Sequence, residues 1–400
     1  MTSRFLADAQ ALADDMTATR RDLHAHPELG FQEVRTARIV ADRLGELGYE
    51  VITGVGKTGV VGLMSGAQAG HRTVLLRFDM DALPIEEAND VPYRSQNRGV
   101  MHACGHDAHV AVGLGVASIL AKHRDSWGGT IKLMFQPAEE GLGGAMAMID
   151  DGVLKGPDVD IALGLHVSSG HPLGHAAVRS GGLLAAADLF EVTIQGKGGH
   201  GARPHETVDA VLVAAHIVVA LQSVVARNLN PEDVGVLTVG SIQAGNAGNV
   251  VADSAILKGT VRAFEENTRA YIHKRIAEVA ASVASAFGAT AETRQTFGTD
   301  VTMCAPGPTA VVHRAAAAVL GEDKINTTFR TTGGEDFSAV LSRVPGNFFF
   351  LGARNEEKGF TAPHHNPHFD IDEACLPLGA AILCDAAVEC LEHGADRERG

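Results

Sequence analysis

The chain has 400 residues, 45% apolar and 20% charged, which suits two or three domains with a large buried core and excludes whole-chain disorder or a fibrous repeat. Its 33 basic and 48 acidic side chains leave a net charge of −15, the wrong sign for nucleic acid or an anionic membrane surface. Five cysteines, an odd number without a CxxC pair, argue against a disulfide framework and for a reducing compartment.

Phe5, Ala9, Leu12, Met16 and Leu23 recur near helical spacing, so the chain is expected to open with one amphipathic helix. Asp8, Asp14 and Asp15 interrupt its apolar residues, unlike a signal peptide. No run of about 18 uncharged apolar residues is read along the chain, so the expected location is the cytoplasm, with no membrane partner. A second helix is predicted from Glu33 to Leu47, stopping at Gly48, followed by β-rich runs at Tyr49–Thr53, Gly59–Ser65 and Thr73–Phe78. A helix at Ala108–Lys122 then leads to a strand at Ile131–Phe135, a helix at Gly144–Asp151 and an apolar strand at Ile161–Val167. Strands alternating with helices, several apolar on both faces, indicate an α/β layered domain.

The character changes near Gly181–Gly182. From Leu184 to Gly298 the order is strand (Leu189–Gln195), helix (Val208–Arg227), strand (Gly235–Ile242), strand (Ile256–Phe264), helix (Thr268–Phe287), strand (Thr290–Thr296). That β-α-β-β-α-β series is a complete ferredoxin-like unit. The α/β pattern resumes with a helix at Thr309–Leu320, a strand at Phe348–Leu351 and a final helix at Leu376–Glu392. The expected fold is therefore an α/β catalytic domain in two parts, residues 1–183 and 299–400, with an α+β domain inserted at 184–298.

Gly54-Val-Gly-Lys-Thr-Gly59 matches GxGxxG by letter. A dinucleotide site needs a helix to open at the last glycine, and here Val60–Met64 reads as a strand, so the segment is expected to be a turn between strands. It also fails as a phosphate loop, because Val51 stands where glycine is required. His205-Glu206 lacks the second histidine of HExxH, since position 209 is Asp.

Chemistry concentrates in four other segments. Met101-His-Ala-Cys-Gly-His-Asp-Ala-His109 holds three histidines, a cysteine and an aspartate. Cys104 and His106, with Gly105 between them, can both reach one point, and thiolate with imidazole suits zinc-like ions. The plain alternative is a helix start capped by Asp107 with incidental histidines. Phe135-Gln-Pro-Ala-Glu-Glu-Gly141 sets Glu139 and Glu140 where an apolar strand ends, which is where α/β sheets place their sites. Adjacent carboxylates point apart, so one can bind a metal while the other acts as a general base. His166 ends a third strand, where a core histidine is the commoner reading. Pro363-His-His-Asn-Pro-His-Phe-Asp370 is again His-dense, and could be only a surface turn.

Taken together, Cys104, His106, one of Glu139/Glu140, His166 and one of His364/His365 make five candidate ligands. Five exceed one tetrahedral zinc and suit two ions about 3.5–4 Å apart with a bridging group and a water. The remaining glutamate can then take the water's proton, which is metal-assisted hydrolysis of an acyl bond.

These segments resemble the aminoacylase and carboxypeptidase family of co-catalytic metallohydrolases. More narrowly they resemble its amidohydrolase branch of hippurate hydrolases, N-acyl-amino-acid amidohydrolases and plant auxin-conjugate hydrolases. Further matching segments run in family order: Arg20–Gly30, Asp79-Met-Asp-Ala-Leu-Pro84, Gly198-Gly-His-Gly-Ala202, Gly334-Glu-Asp-Phe337 and His365-Asn-Pro. The resemblance implies a catalytic α/β domain with an inserted lid and dimerisation domain, and so a homodimer or larger assembly.

It implies Cys104 as the metal-bridging thiolate, with His106, Glu140, His166 and His365 as the other ligands. The cofactor would be two divalent ions per subunit, zinc first, with manganese, cobalt or nickel as alternatives. Glu139 would be the general base and Asp81 would stand beside the metals. His200, in the inserted domain, would reach the active site of the other subunit and help polarise the scissile carbonyl. Asn249 and Arg262 would hold the substrate's carboxylate, although a surface ion pair is an equal reading of Arg262. The implied substrate is a small N-acyl amino acid. A dipeptidase or carboxypeptidase of the same family, or a catalytically silent metal-binding relative, is the alternative.

Overall fold

The computed structural model describes residues 2–394. The chain divides into two compact units: Met1–Gly181, Met303–Phe329 and Asp336–Gly400 form one, and Gly182–Thr302 with Arg330–Glu335 the other. The second is a few residues wider at each end than the inserted segment expected at 184–298, and it takes in the short stretch 330–335.

The first unit opens with α1 (Leu6–Ala11), α2 (Ala13–Ala25) and α3 (Val34–Glu46). The single opening helix expected from periodicity is broken at Leu12. There the Leu12 N–H donates to Ala9 O at 3.1 Å, a tighter turn that lets Phe5 and Ala9 bury together with Met16 and Leu23. Next come β1 (Glu50–Val55), β2 (Gly59–Ser65), β3 (Gln68–Asp79), α4 (His106–Lys122), β4 (Gly128–Gln136), α5 (Gly144–Asp150), β5 (Ile161–Pro172) and β6 (Ala176–Ala177). The β1–β2 pair is an antiparallel hairpin closed by the Gly54–Gly59 loop, the turn expected in place of a nucleotide site.

The second unit carries β7 (Gly181–Leu184) at its edge, then β8 (Ala186–Gln195), β9 (Gly199–His200), α6 (Ala210–Ser223), β10 (Gly235–Ala244), β11 (Val250–Val251), β12 (Ser254–Ala263), α7 (Glu266–Ala286) and β13 (Thr290–Thr299). The chain then adds β14 (Thr302–Cys304), α8 (Pro306–Leu320), β15 (Ile325–Asn326), α9 (Ser338–Leu341), β16 (Gly346–Arg354) and α10 (Cys375–His393).

Eight strands of the first unit form one sheet in the order β1-β2-β4-β3-β5-β16-β6-β15. Its centre, β4-β3-β5-β16, is parallel throughout. Parallel strands bury both faces, which accounts for the unbroken apolar run Val74-Leu75-Leu76 in β3 and Phe348–Leu351 in β16. Helix α4 is buried on nearly every side. The parallel register aligns Asp79 with Gln136 and Arg77 with Gly164, so the ends of β3 and β4 open at one edge beside the middle of β5. That edge is where an open α/β sheet places ligands.

In the second unit β10-β12-β8-β13 form an antiparallel sheet, with α6 and α7 packed on it over a core that includes Val192, Ile194, Ile217, Leu257 and Ile276. The segment Ala210–Asn228 is long and apolar enough to cross a membrane by length and composition, where no such run was expected from the sequence. One face of it packs on this sheet, and Val211, Leu212 and Val219 are exposed on the other.

Candidate metal centre

The turn that carries Cys104 and His106 is shaped by the glycine between them. Gly105 has φ +91°, in the left-handed region, and α4 begins immediately after it. A Cβ at this position would sit 2.4 Å from Val167 Cγ2. Asp107 is not the helix cap of the plain alternative, because it is buried and paired with Arg20 and His24. His106 Nδ1 lies 2.9 Å from the Asp81 carbonyl and 3.2 Å from its Oδ1, so Nδ1 carries the proton and Nε2 is left as the donor atom. The other Asp81 oxygen accepts the Glu140 N–H at 3.0 Å. Asp81 thus ties His106 to Glu140.

Glu139 and Glu140 follow β4 through a strained turn. Ala138 has φ +54°, a conformation that disfavours an alanine by about 1–2 kcal/mol. Its N–H donates to Glu33 Oε1 at 2.9 Å and its carbonyl accepts the Gly144 N–H at 3.1 Å. Burial pushes the Glu33 carboxyl above the usual range.

His166 is on β5. Its Nδ1 is 2.6 Å from the Val167 carbonyl and its Nε2 is 3.5 Å from Cys104 Sγ. Of the late histidine pair, His365 joins the cluster. Its φ is +63°, its N–H donates to Ala103 O at 2.8 Å, and its Nε2 lies 3.3 Å from Glu140 Oε1. His364 instead packs its ring on Phe369 and accepts the Ser169 N–H at 3.4 Å.

Potential donor atoms of Cys104, His106 and His166 lie within 4.8 Å of one another, as do those of Cys104, Glu140 and His365, and those of His106, Glu139 and Glu140. Cys104 belongs to both of the first two triples. His106 Nε2 is buried without a hydrogen-bond partner, an unfavourable state for a polar atom that a cation would relieve. Imidazole, thiol and carboxylate donors converging in this way fit divalent metal ions. Burial, then His109 and His364, holds the His166 pKa well below its ordinary value, leaving Nε2 a free lone pair. Burial and the nearby Glu140 push the Cys104 thiol well up, so its thiolate needs a cation beside it.

Asp79, His106 and His109 also cluster. Yet His109 Nε2 accepts the Val167 N–H at 2.9 Å and Nδ1 faces Asp79 Oδ1 at 2.5 Å, so both ring nitrogens are committed.

Below the cluster is a buried ionic network whose partners sequence reasoning did not find. Arg20 Nε reaches Asp107 at 2.8 Å and Nη2 reaches Asp370 at 2.7 Å, while His24 Nδ1 is 2.7 Å from Asp107. Arg20 and His24 stand in a segment noted for its resemblance, but nothing local names partners 87 and 350 positions away. Glu33 gave no signal beyond its place at a helix start.

Three expected site residues belong to the second unit. His200 is exposed on β9, paired with Val250 of β11, and the Gly201 N–H donates to the Asn249 carbonyl at 2.9 Å, so His200 and exposed Asn249 share one short ribbon. Arg262 is on β12, and its guanidinium donates to its neighbours Thr260 Oγ1 and Val261 O.

Residues 75–389 match the model of peptidase family M20/M25/M40. The chain belongs to this family. Among its M20 relatives, Thermostable carboxypeptidase 2 of Saccharolobus solfataricus is 42% identical, with 93% of this chain and 94% of the relative aligned. IAA-amino acid hydrolase ILR1-like 2 of Arabidopsis thaliana is 39% identical over 98% of this chain and 88% of its own. The crystal structure of a dinuclear metal-binding M20 peptidase from Bacillus subtilis superposes with a TM-score of 0.85 at 33% identity, covering 96% of this chain and 99% of that one. The protein is thus a metal-dependent hydrolase of the M20 family, of the α/β type expected from sequence.

Proposed function

We propose that this chain is a dinuclear amidohydrolase that cleaves N-acyl amino acids to a carboxylate and a free amino acid. The observation that carries the reading is the position of Cys104 in two donor triples at once, beside a pair of glutamates. Cys104, His106, Glu140, His166 and His365 would hold the two ions, with Cys104 shared. The thiolate and imidazoles favour zinc, with manganese, cobalt or nickel as alternatives. Two divalent ions supply Lewis acidity there, lowering the pKa of water and opposing charge on the carbonyl oxygen.

The protein's own groups do the rest. Glu139 takes the proton from the attacking water and delivers it to the leaving nitrogen. Asp81 fixes the His106 ring so that Nε2 faces the cluster, the supporting role that carboxylates and carbonyls play behind metal-bound histidines. His200 is assigned to the scissile carbonyl of a partner subunit, and Asn249 and Arg262 to the substrate carboxylate. The exposed apolar residues of α6 and the position of β10 at the edge of its sheet, with Ile242 exposed, support a homodimer through the second unit. Five free buried thiols support a cytoplasmic location.

The second reading is a carboxypeptidase, favoured by the 42% identical relative of that name. One experiment separates them. Protein reconstituted with zinc, manganese or cobalt is given acetyl, benzoyl, indolyl-acetyl and long-chain N-acyl amino acids alongside dipeptides, and released amino acid is measured. Release from the N-acyl panel supports the amidohydrolase, and preference for free α-amino substrates supports the peptidase. Glu139→Gln should keep its metal and lose about 100- to 10,000-fold in turnover, and an active variant removes Glu139 from its role.

A further inference from the structure

Glu33 stands at the residue before α3, the position from which a side chain normally caps a helix. It does not cap. The Glu28 carboxylate does so in its place, accepting the N–H groups of Arg35 at 2.9 Å and Thr36 at 2.8 Å. Glu33 is turned inward and fully buried, with Oε1 accepting the Ala138 N–H at 2.9 Å and Oε2 accepting the Thr58 hydroxyl at 2.6 Å. Thr58 belongs to the Gly54–Gly59 loop, which matches a nucleotide motif by letter but closes the β1–β2 hairpin and leads into a strand, not a helix. The segment from Glu28 to Glu33 approaches the turn a second time, because a Cβ on Gly30 would sit 3.1 Å from both Cα and Cβ of Ala138. It also touches the strand edge beside Asp81, where the Ala82 N–H donates to the Glu28 carbonyl at 2.8 Å.

We propose that Glu33 is a positioning residue: its carboxylate holds Ala138 in the left-handed conformation that aims Glu139 and Glu140 at the donor cluster. The inference deepens the proposed function and rests on it for the role of Glu139. An alanine released from that conformation relaxes to negative φ, because its Cβ crowds the carbonyl when φ is positive. Rotation at Ala138 moves the next two residues together, so the base and a metal-binding carboxylate leave their places at once. The hairpin loop then has a purpose in the site: through Thr58 it fixes the second oxygen of Glu33.

The test compares wild type with Glu33→Ala, Glu33→Gln, Thr58→Val and the double variant Glu33→Ala/Ala138→Gly. Three readouts are taken: hydrolysis of an N-acyl amino acid, the visible spectrum of the cobalt(II)-loaded protein, and the thermal midpoint. Glu33→Ala should lower kcat by about 10- to 100-fold with KM within about threefold, the size expected when a catalytic group is displaced by about an ångström. Its cobalt spectrum should change through Glu140. Glu33→Gln keeps an oxygen acceptor for the Ala138 N–H and should recover most of the rate and the spectrum, and Thr58→Val should fall between.

The double variant is the sharpest arm. Glycine adopts positive φ without strain, so Ala138→Gly should restore part of the lost turnover if the lost function is holding that turn. A purely structural role predicts no such rescue. The proposal is overturned if Glu33→Ala keeps wild-type kcat and spectrum, if Glu33→Gln falls as far as Glu33→Ala, or if glycine at 138 restores nothing. Should wild type hydrolyse no N-acyl amino acid, the substrate reading fails, and the cobalt spectra alone decide for or against the clamp.

Discussion

The backbone N–H of Val167 donates to Nε2 of His109 at 2.9 Å. A ring nitrogen that accepts carries no proton, so the proton of the neutral ring is on Nδ1, which faces Asp79. Burial, with His106 and Arg77 nearby, outweighs Asp79 and holds the His109 pKa below its ordinary value, in keeping with the neutral ring. His109 therefore fixes the strand next to His166 and has no lone pair left for a metal.

The expected consequence separates two neighbouring histidines. His109→Ala should destabilise the protein by about 1–3 kcal/mol, from the unpaired Val167 N–H and the lost partner of Asp79, yet still bind two equivalents of metal. His106→Ala should lose metal. Metal content after dialysis and urea unfolding measure the two effects. Equal metal loss in both variants would show that His109 is a ligand.

Arg20 carries a second prediction. Its fork joins Asp107 and Asp370, both buried, and Tyr93 also donates to Asp370 at 2.7 Å. Arg20→Ala leaves two buried carboxylates short of their counter-charge and should cost about 3–5 kcal/mol. Arg20→Lys keeps the charge but cannot reach both partners in a plane, so it should recover only part of the loss. Urea midpoints measure this, and a lysine variant as stable as wild type contradicts the fork.

How much of this was legible follows from where the partners lie. Cys104, His106 and His109 announce themselves within six positions, and the ends of strands β3 and β4 could be read from apolar runs, whereas β5 continues past the expected Val167 to Pro172, so that His166 stands inside the strand and not at its end. The choice of Glu140 over Glu139 and of His365 over His364 came from resemblance, because adjacent residues of one type carry no local sign of which way they point. Here Ala138 and His365, both at positive φ, set those directions. Neither is a glycine or asparagine, so no turn signal marked them. Glu33 was silent, and Arg20 and Asp370, though inside noted segments, gave no sign of their roles, because their partners are far away in the sequence; the break at Leu12 was hidden because its residues suit a helix on either side.

The second unit has its own acid-sensitive pairing. Asp188 is buried on β8, where Arg269 reaches both its oxygens at 2.6 and 2.7 Å, His273 lies at 2.8 Å and the Gly298 N–H at 3.0 Å. Burial works against the charge, but these partners together hold the carboxyl well below the usual range. The folded carboxyl thus gives up its proton more readily than the unfolded one. Its contribution, about 2–3 kcal/mol, is present above pH about 4 and is lost as pH falls below it. The stability difference between wild type and Asp188→Asn should therefore be level from pH 6 to about pH 5 and shrink as pH falls from about 4.5 to pH 3. A difference that stays constant over that range removes the ionised carboxylate from the account.

Gly105 makes the last prediction, and it couples stability to metal. Its φ of +91° is strained for any other residue, and a methyl group there meets Val167 Cγ2 at 2.4 Å. Val167 cannot retreat freely, because its N–H is held by His109 and its carbonyl by His166. Gly105→Ala must therefore move the turn and not the strand. The φ strain alone amounts to about 1–2 kcal/mol, and overpacking adds about 1–3 kcal/mol. Because Cys104 and His106 flank the glycine, the shift falls on two proposed ligands at once, and the variant should bind cobalt(II) more weakly as well as melt earlier. Val167→Ala removes the colliding methyl and should restore metal affinity more than stability, since it relieves the clash and leaves the strained φ in place. A variant that melts early but binds cobalt as wild type does would mean that Gly105 serves the fold and not the metal centre.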